Sequence, residues 1–369
     1  MSTVTPPCRH FGTCGGCALQ HLATDEYRAG KCALVTDALV RQQLGITTVA
    51  DLVSVPPASR RIARFGARAE AGKITLGFTE RAGTNIVDVA ECPVMAPAIV
   101  AGLPALRALA AILLSAGEFA DIPVALTSST ASRSNGLDVV LRSRRAPDGA
   151  MRSRLADAAR DASFARLSWQ KAGRDRRHVG GPPETIAALS PVRMLFSGVP
   201  VDLPPTAFLQ PTAEGEAVLT REVVVALSGA KRIADLYAGC GPFSFAVGGQ
   251  VHAFEGEETM VAAIDAASRR AQRNVTAEAR DLVRRPLLAQ ELNRFGGVVL
   301  DPPRPGAAPQ AKELAKSKVP VIAYVSCNPV SFARDARMLV DGGYRLERIV
   351  PLDQFLWSEH VELVATFAR

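Results

Sequence analysis

The sequence predicts an α/β protein of two unlike parts: a doubly wound, mostly parallel sheet in the C-terminal half and a smaller strand-rich domain ahead of it. Three observations carry this reading. After Pro205, apolar strand-like runs alternate with helical patterns, at Arg232–Leu236, Val251–Phe254, Val298–Leu300 and Val319–Val325. That alternation implies parallel strands with helices on both faces. Between about Val49 and Val201 the texture differs: short alternating runs at Lys73–Phe78, Asn85–Val89 and Leu137–Leu141 surround one helical stretch, Ala98–Leu114. Finally, three cysteines, Cys8, Cys14 and Cys17, crowd the N-terminus.

The chain of 369 residues suits two or three domains. Hydrophobic residues make up 48% but aromatics only 5%, so small aliphatic side chains must do most of the packing. A net charge of +7 serves solubility or favours a polyanionic partner such as nucleic acid. The excess is mostly arginine, clustered at Arg60, Arg61, Arg64 and Arg68, at Arg142, Arg144 and Arg145, and at Lys171, Arg174, Arg176 and Arg177. No basic region followed by an apolar run marks a secretory signal, and no apolar stretch reaches the ~20 residues of a membrane span. A cytoplasmic location is therefore expected, and there the seven cysteines read as ligands or nucleophiles rather than disulfides.

A helix is expected over Thr24–Leu44, capped by Thr24 or Asp25 and ended by Gly45, and Gly173–Pro183 reads as a charged loop. Asp235-Leu-Tyr-Ala-Gly-Cys-Gly-Pro-Phe-Ser244 follows a predicted strand and is expected to open a helix. Gly239 and Gly241 allow a tight turn and a close approach to a ligand. A Gly pair alone usually marks only a turn. Here the next strand ends in Glu255, whose carboxylate can accept two ribose hydroxyls. There is no third Gly for a pyrophosphate, which favours S-adenosylmethionine over a dinucleotide. Asp281 reads as an adenine-side contact. Each acid alone would be a solvated charge, but Asp235, Glu255, Asp281 and Asp301 recur at successive predicted strand ends.

Asp301-Pro-Pro-Arg-Pro-Gly306 makes a rigid turn directly after a strand. Arg304 stands where amino-group methyltransferases carry a stacking aromatic, which points away from amino methylation. Val325-Ser-Cys-Asn-Pro329 ends the next strand. A cysteine at such a place is either inert packing or a nucleophile, and Cys327 shares its sheet edge with Asp301. Glu362, in His360-Val-Glu362, sits in an apolar run where burial without a role is costly.

With these motifs, Asp235–Phe243, Asp301–Gly306, Ser326–Pro329 with Ala333-Arg-Asp335, and His360-Val-Glu362, the chain resembles the bacterial RNA 5-methyluridine methyltransferases. The resemblance implies a Rossmann-like, S-adenosylmethionine-dependent methyltransferase domain over residues 206–369. It implies that Cys327 adds to C6 of a uracil, that C5 takes the methyl group, and that Glu362 removes the C5 proton. Glu362 would work best with its pKa raised by burial, and Cys327 should be activated as a thiolate. The resemblance also implies contacts to the methyl donor from Gln210, Tyr237, Glu255, Asp281 and Asp301. Pro242 replaces a residue that is often Asn in relatives, which puts one side-chain contact in doubt.

Cys8, Cys14, Cys17 and Cys92 form a four-thiolate set whose spacing suits zinc slightly better than iron–sulfur. The resemblance reverses that preference: the ribosomal-RNA branch of the family is similar in carrying Cys-x5-Cys-x2-Cys and a later Cys around a 4Fe-4S cluster. It therefore implies 23S ribosomal RNA as the partner. Cys32 reads as helix packing, and Cys240 has no assigned role. Residues 1–20 with 50–205 are expected to form the iron–sulfur and central RNA-binding domain, and 21–49 a helix packed on the catalytic domain. The small N-terminal RNA-binding barrel of many relatives is expected to be absent, and the protein to be a monomer. Two alternatives stay open: the same chemistry on transfer RNA, or an RNA-binding or assembly protein with a vestigial site.

Overall fold

The structure, a computed structural model, describes residues 3–45, 48–128, 136–173 and 179–369. Arg174, Arg176 and Arg177 of the third arginine cluster lie outside the described residues. A turn-rich segment holding Cys8, Cys14 and Cys17 leads into α1 (Thr24–Arg41) and the short β1 (Val53–Ser54). The central domain follows, with β2 (Ile62–Glu70), β3 (Lys73–Thr79), β4 (Ile86–Asp88), α2 (Pro97–Leu113), β5 (Phe119–Leu126), β6 (Leu137–Ser143), α3 (Gly149–Asp161), β7 (Arg166–Lys171) and β8 (Glu184–Ala188). A hairpin, β9 (Arg193–Phe196) and β10 (Val199–Asp202), leads to α4 (Ala213–Ala226). The C-terminal half continues with β11 (Arg232–Leu236), β12 (Gln250–Glu255), α5 (Glu258–Ala271), β13 (Val275–Ala279), α6 (Ala289–Leu292), β14 (Gly297–Leu300), α7 (Ala308–Lys316), β15 (Val321–Ser326), α8 (Pro329–Asp341), β16 (Arg345–Asp353) and β17 (Glu362–Ala368).

The larger sheet has the order β1-β16-β17-β15-β14-β11-β12-β13. Its strands from β13 to β15 run parallel, while β17 enters antiparallel between β15 and β16. Both faces are buried, as continuous apolar runs require. Ala234, Leu236, Val298, Leu300 and Tyr324 face one core with α1, α7 and α8. Ile233, Val299, Ala323 and Val325 face the other with α4, α5 and the β9–β10 hairpin. The central sheet, in the order β4-β3-β2-β5-β6-β7-β8, packs one face on α2 and α3 around a core of its own. Among the described residues, no helix is long and apolar enough to cross a membrane.

Several local expectations are corrected. Neither Thr24 nor Asp25 caps α1; the N-cap is Ala23 with no side-chain cap. The helix ends at Arg41, not at Gly45. Gln43 takes the left-handed position at φ 55°, and Leu44 N–H bonds back to Leu39 O at 3.0 Å, which closes the helix without glycine. The Gly loop does not open an α-helix. Residues 242–246 form turns, and the chain then passes through Gly248 and Gly249 into β12. Two glycines in succession leave too little helix-forming sequence to propagate that first turn. The central domain also holds a second helix, α3, capped by Asp148, whose side chain accepts from Met151 N.

The N-terminal segment is tied into the catalytic half by a buried ion pair. Lys31 Nζ lies 2.8 Å from Asp353 Oδ1, and both side chains are fully buried. Lys31 also donates to the carbonyls of Phe355 and His360, and Tyr27 OH donates to Asp353. Truncating Lys31→Ala strands a buried carboxylate, so unfolding by urea should show a loss of about 3–5 kcal/mol. A loss below ~1 kcal/mol would mean that Asp353 finds other partners.

Candidate active site

The carboxyl ends of β14, β15 and β11 converge with the start of β17. Asp301 follows β14 and is held there by its own N–H on Leu236 O at 3.3 Å. Cys327 follows β15 at a strand-to-helix turn. Asn328 caps α8 by accepting from Val330 N at 3.1 Å, and Pro329 opens that helix without needing an N–H partner. Asn328 Nδ2 and Ser331 Oγ both donate to Arg304 O at 3.0 Å, so the Asp301–Gly306 turn and the cysteine turn are fastened to each other. The Ala333-Arg-Asp335 motif finishes this fastening. Buried Asp335 accepts from Ala307 N and from Tyr324 OH, each at 2.7 Å. A Cβ at Gly306 (φ 85°) would stand 2.6 Å from the Asp335 carboxylate, so only glycine fits there.

A chain of buried amides links the acids. Gln210 Nε2 donates to Asp301 Oδ2 at 3.3 Å, and Gln210 Oε1 accepts from Gln354 Nε2 at 2.9 Å. Gln354 Nε2 also donates to Glu362 Oε2 at 3.0 Å. Gln210 is itself positioned from the central domain: Arg61 donates to its carbonyl at 2.9 Å and pairs with Glu216 at 2.6 Å. Arg61 is thus buried and committed to this junction, and it is not an open basic residue as its cluster suggested.

Burial dominates the electrostatics. It pushes Asp235 up to about 7, with Ser244 donating in opposition and Glu255 adding to the rise. Asp301 also rises to about 7, first through burial and then through repulsion from Asp235. Glu362 rises well above the usual carboxylate range through burial and the charge of Asp301, with Gln354 opposing. The expected activation of Cys327 is absent in this ligand-free arrangement. Burial, with Glu362 and Asp301 facing the sulfur, pushes its thiol up to about 11, while Arg304 and a backbone N–H pull the other way.

Of the residues expected around the methyl donor, Gln210, Tyr237 and Asp301 line one narrow hollow, together with Gly239, Cys240 and Pro242. The Tyr237 hydroxyl is buried with no hydrogen-bond partner among the described residues. Gly241 (φ 85°) packs on Phe245. Glu255 lies beside the hollow and accepts from Gly239 N at 2.8 Å and Glu257 N at 3.0 Å. Asp281 does not line the hollow but stands near enough to Tyr237 for its charge to act on that hydroxyl; its half-exposed side chain accepts from Val283 N and Arg284 N. Gln354 escaped the sequence reading, and Arg61 and Asp335 were named there without the roles they have here. Gln354 carries no local signal, because its partners come from elements far apart in the chain.

Cys8, Cys14, Cys17 and Cys92 line one hollow with Gln20, Phe78 and Val89, and all seven cysteines are free. Burial and their mutual charge raise Cys14, Cys92 and, to about 11, Cys17. Among the described residues, no three His, Cys, Asp or Glu side chains are placed to hold a metal ion. A single zinc would need four sulfurs about 2.3 Å from one point. A four-iron cube gives each cysteine an iron of its own, so its thiolates stand farther apart. Gln20, in the same hollow, accepts from Cys8 N through Oε1 at 3.2 Å, and its side chain hydrogen-bonds the Cys17 thiol. The segment is also wired to the active-site loop, because Ala18 N and Leu19 N both donate to Trp357 O, at 2.8 and 2.9 Å.

With this geometry in hand, likeness to known proteins gives the chemistry a frame. Residues 202–368 match the tRNA (uracil-5-)-methyltransferase family. An RNA methyltransferase of Mesorhizobium japonicum is 40% identical, over 98% of this chain and 84% of its own. The 23S rRNA (uracil(1939)-C(5))-methyltransferase of Halomonas elongata is 33% identical, over 98% of this chain and 76% of its own. Among solved structures, the tRNA (uracil-54, C5)-methyltransferase of Pyrococcus abyssi in complex with S-adenosyl-L-homocysteine is similar with a TM-score of 0.74 and 25% identity, covering 96% of this chain and 86% of that one. The chain belongs to the S-adenosylmethionine-dependent RNA (uracil-5-)-methyltransferase family.

Proposed function

We propose that the protein methylates C5 of a uridine in 23S ribosomal RNA through a covalent adduct on Cys327, with Glu362 as the C5 proton acceptor. The observation that carries this reading is the approach of Cys327, Asp301 and Glu362 to one another at adjoining strand ends. The Cys327 sulfur bonds to C6, and the electron pair of the C5–C6 double bond becomes available at C5. S-adenosylmethionine supplies the methyl group to C5. Glu362 then takes the C5 proton, the double bond re-forms and the sulfur leaves. An unassisted uracil C5 is too weak a carbon nucleophile, hence the covalent route. Gln354 and Gln210 keep the Glu362 and Asp301 carboxylates apart and oriented. Gln210, Tyr237 and Asp301 would contact the methyl donor, with Glu255 close by and Asp281 at most a peripheral contact.

The four N-terminal and central cysteines would hold a 4Fe-4S cluster. Support comes from the hollow the four cysteines share and from their Cys-x5-Cys-x2-Cys spacing. Residues 1–20 with 50–205 would then form the cluster and RNA-binding domain, 21–49 the helix on the catalytic domain, and 206–369 the methyltransferase domain. The enzyme would act in the cytoplasm, as a monomer.

Purified enzyme should transfer methyl groups to unmodified 23S ribosomal RNA and not to transfer RNA. Cys327→Ala should abolish transfer while S-adenosyl-L-homocysteine still binds in calorimetry. Glu362→Gln should slow turnover by about 10²–10⁴-fold and leave a protein–RNA adduct that survives denaturing electrophoresis. Transfer to transfer RNA alone, or turnover by Cys327→Ala, would overturn the substrate or the mechanism respectively.

Protein prepared without oxygen should show broad visible absorption at about 400 nm that is lost in Cys14→Ser. A colourless, zinc-containing protein would refute the cluster.

The buried acids set a pH dependence. Asp301 protonates near 7 when folded and near ~3.9 when unfolded, so the folded chain binds more protons between those values. Its contribution is fully present below ~4 and is lost as pH rises to about 7. The melting temperature of the ligand-free protein should fall over this window, and Asp301→Asn should flatten the fall. An identical slope in the variant would remove Asp301 as its source.

A further inference from the structure

The two faces of the central sheet differ in character. Ala63, Phe65 and Ala67 of β2 and Val139 and Leu141 of β6 turn into the core with α2 and α3. The alternate positions, Arg64 on β2, Asp121 on β5 and Arg142 on β6, lie on the opposite face. Register places Asp121 directly opposite Arg142. The segment Thr206–Leu209 stands against this face and leaves a groove of about 290 Å³, with Arg60, Arg64 and Arg142 in its walls. Phe208 and Leu209 line both this groove and the hollow at Gln210 and Asp301. Beyond Arg142 a second hollow, of about 560 Å³, continues to Arg144 and Arg145.

The groove holds more arginine than carboxylate: Arg60, Arg64 and Arg142 line it with Asp138, Asp121 stands near Arg142, and the Cys17 and Cys92 thiols act on Arg60. Arg166 engages Asp138 with two bonds, at 2.9 and 2.7 Å, and Arg64 pairs with Asp121 at 2.7 Å. Among the described residues, Arg60 and Arg142 have no carboxylate partner. Arg60 donates to Ile62 O at 3.0 Å and Arg142 to Gln170 Oε1 at 2.8 Å, both neutral acceptors. Burial and then the neighbouring Arg64 charge disfavour the charged form of Arg142, with Asp121 opposing them in part. Guanidiniums held side by side in a half-buried groove destabilise the free protein and are relieved by an anion.

We propose that this groove holds the phosphates of the RNA strand adjoining the target uridine, along a path from the Gln210 hollow past Phe208 onto Arg142 and then Arg144 and Arg145. The occupant is RNA rather than another polyanion because the groove shares a wall with the site of an RNA methyltransferase. The assignment holds whichever RNA the enzyme modifies. Specificity remains with the catalytic hollow, since phosphate contacts position a strand without reading it.

The test is anisotropy of a labelled oligouridylate of about 20 nucleotides on the full chain across a salt series, where each lost phosphate contact removes ~0.7 from the salt slope. Arg142→Gln should weaken binding about three- to tenfold and lower the slope by ~0.7, while Arg142→Lys keeps the slope. Arg144→Gln with Arg145→Gln, on exposed positions that leave the fold untouched, should lower it by about 1.4. Arg345→Gln removes the same charge from an edge of the other sheet and should change neither quantity. Binding and slope unchanged in the groove variants, or changed equally in Arg345→Gln, would overturn the proposal. Binding of S-adenosyl-L-homocysteine should be unaltered in all variants, which separates loss of the RNA path from loss of the catalytic site.

Discussion

The fully buried contact between Lys31 and Asp353 is the constraint on which the catalytic end of the molecule depends. Taking both charges out of water costs several kcal/mol per ion, and only close geometry with further hydrogen bonds offsets it. Here the geometry is close. One ammonium joins the end of β16, through Asp353, to the carbonyls of Phe355 and His360. The loop between β16 and β17 is thereby folded onto α1. Its two ends carry Gln354 and Glu362, the members of the amide–acid chain that reach furthest from the parallel strands. A residue early in the chain thus fixes groups near its end, and α1 acts as part of the catalytic unit.

The active-site acids illustrate a second consequence of burial. Asp235, Asp301 and Glu362 are all hidden from water, and each raises the proton affinity of its neighbours. Among the described residues their hydrogen-bond partners are neutral: the amides of Gln210 and Gln354 and the hydroxyl and backbone N–H of Ser244. A set of carboxylates without cations favours a positively charged ligand, as the sulfonium and ammonium of a methyl donor would be. Burial first, and then the same acids, also oppose a thiolate at Cys327.

The parallel strands were legible in the sequence because each is buried on both faces, and an unbroken run such as Val298–Leu300 has no other soluble explanation. The motif residues were legible because Pro, Gly and Asn declare their turns. Less could be seen where the signal is relational. β2 is built from Ala and Gly around Phe65, so its alternation is faint, and the charges on its open face gain meaning only beside β5 and β6. The expected helix after Gly241 failed because Gly248 and Gly249 interrupt it. Asp281 sits at a strand end in sequence, yet its side chain is spent on the next turn. Gln354 was invisible for the opposite reason, since its neighbours in sequence say nothing about Gln210 or Glu362.

The position of β17 has a bearing on biosynthesis. This final strand, Glu362–Ala368, pairs on one side with β15 and on the other with β16, which in turn pairs with β1 from the N-terminal segment. While the ribosome still covers those residues, the sheet has a gap at its middle and the proposed base is missing from the site. The sheet therefore closes only once β17 is free to pair with both of its neighbours.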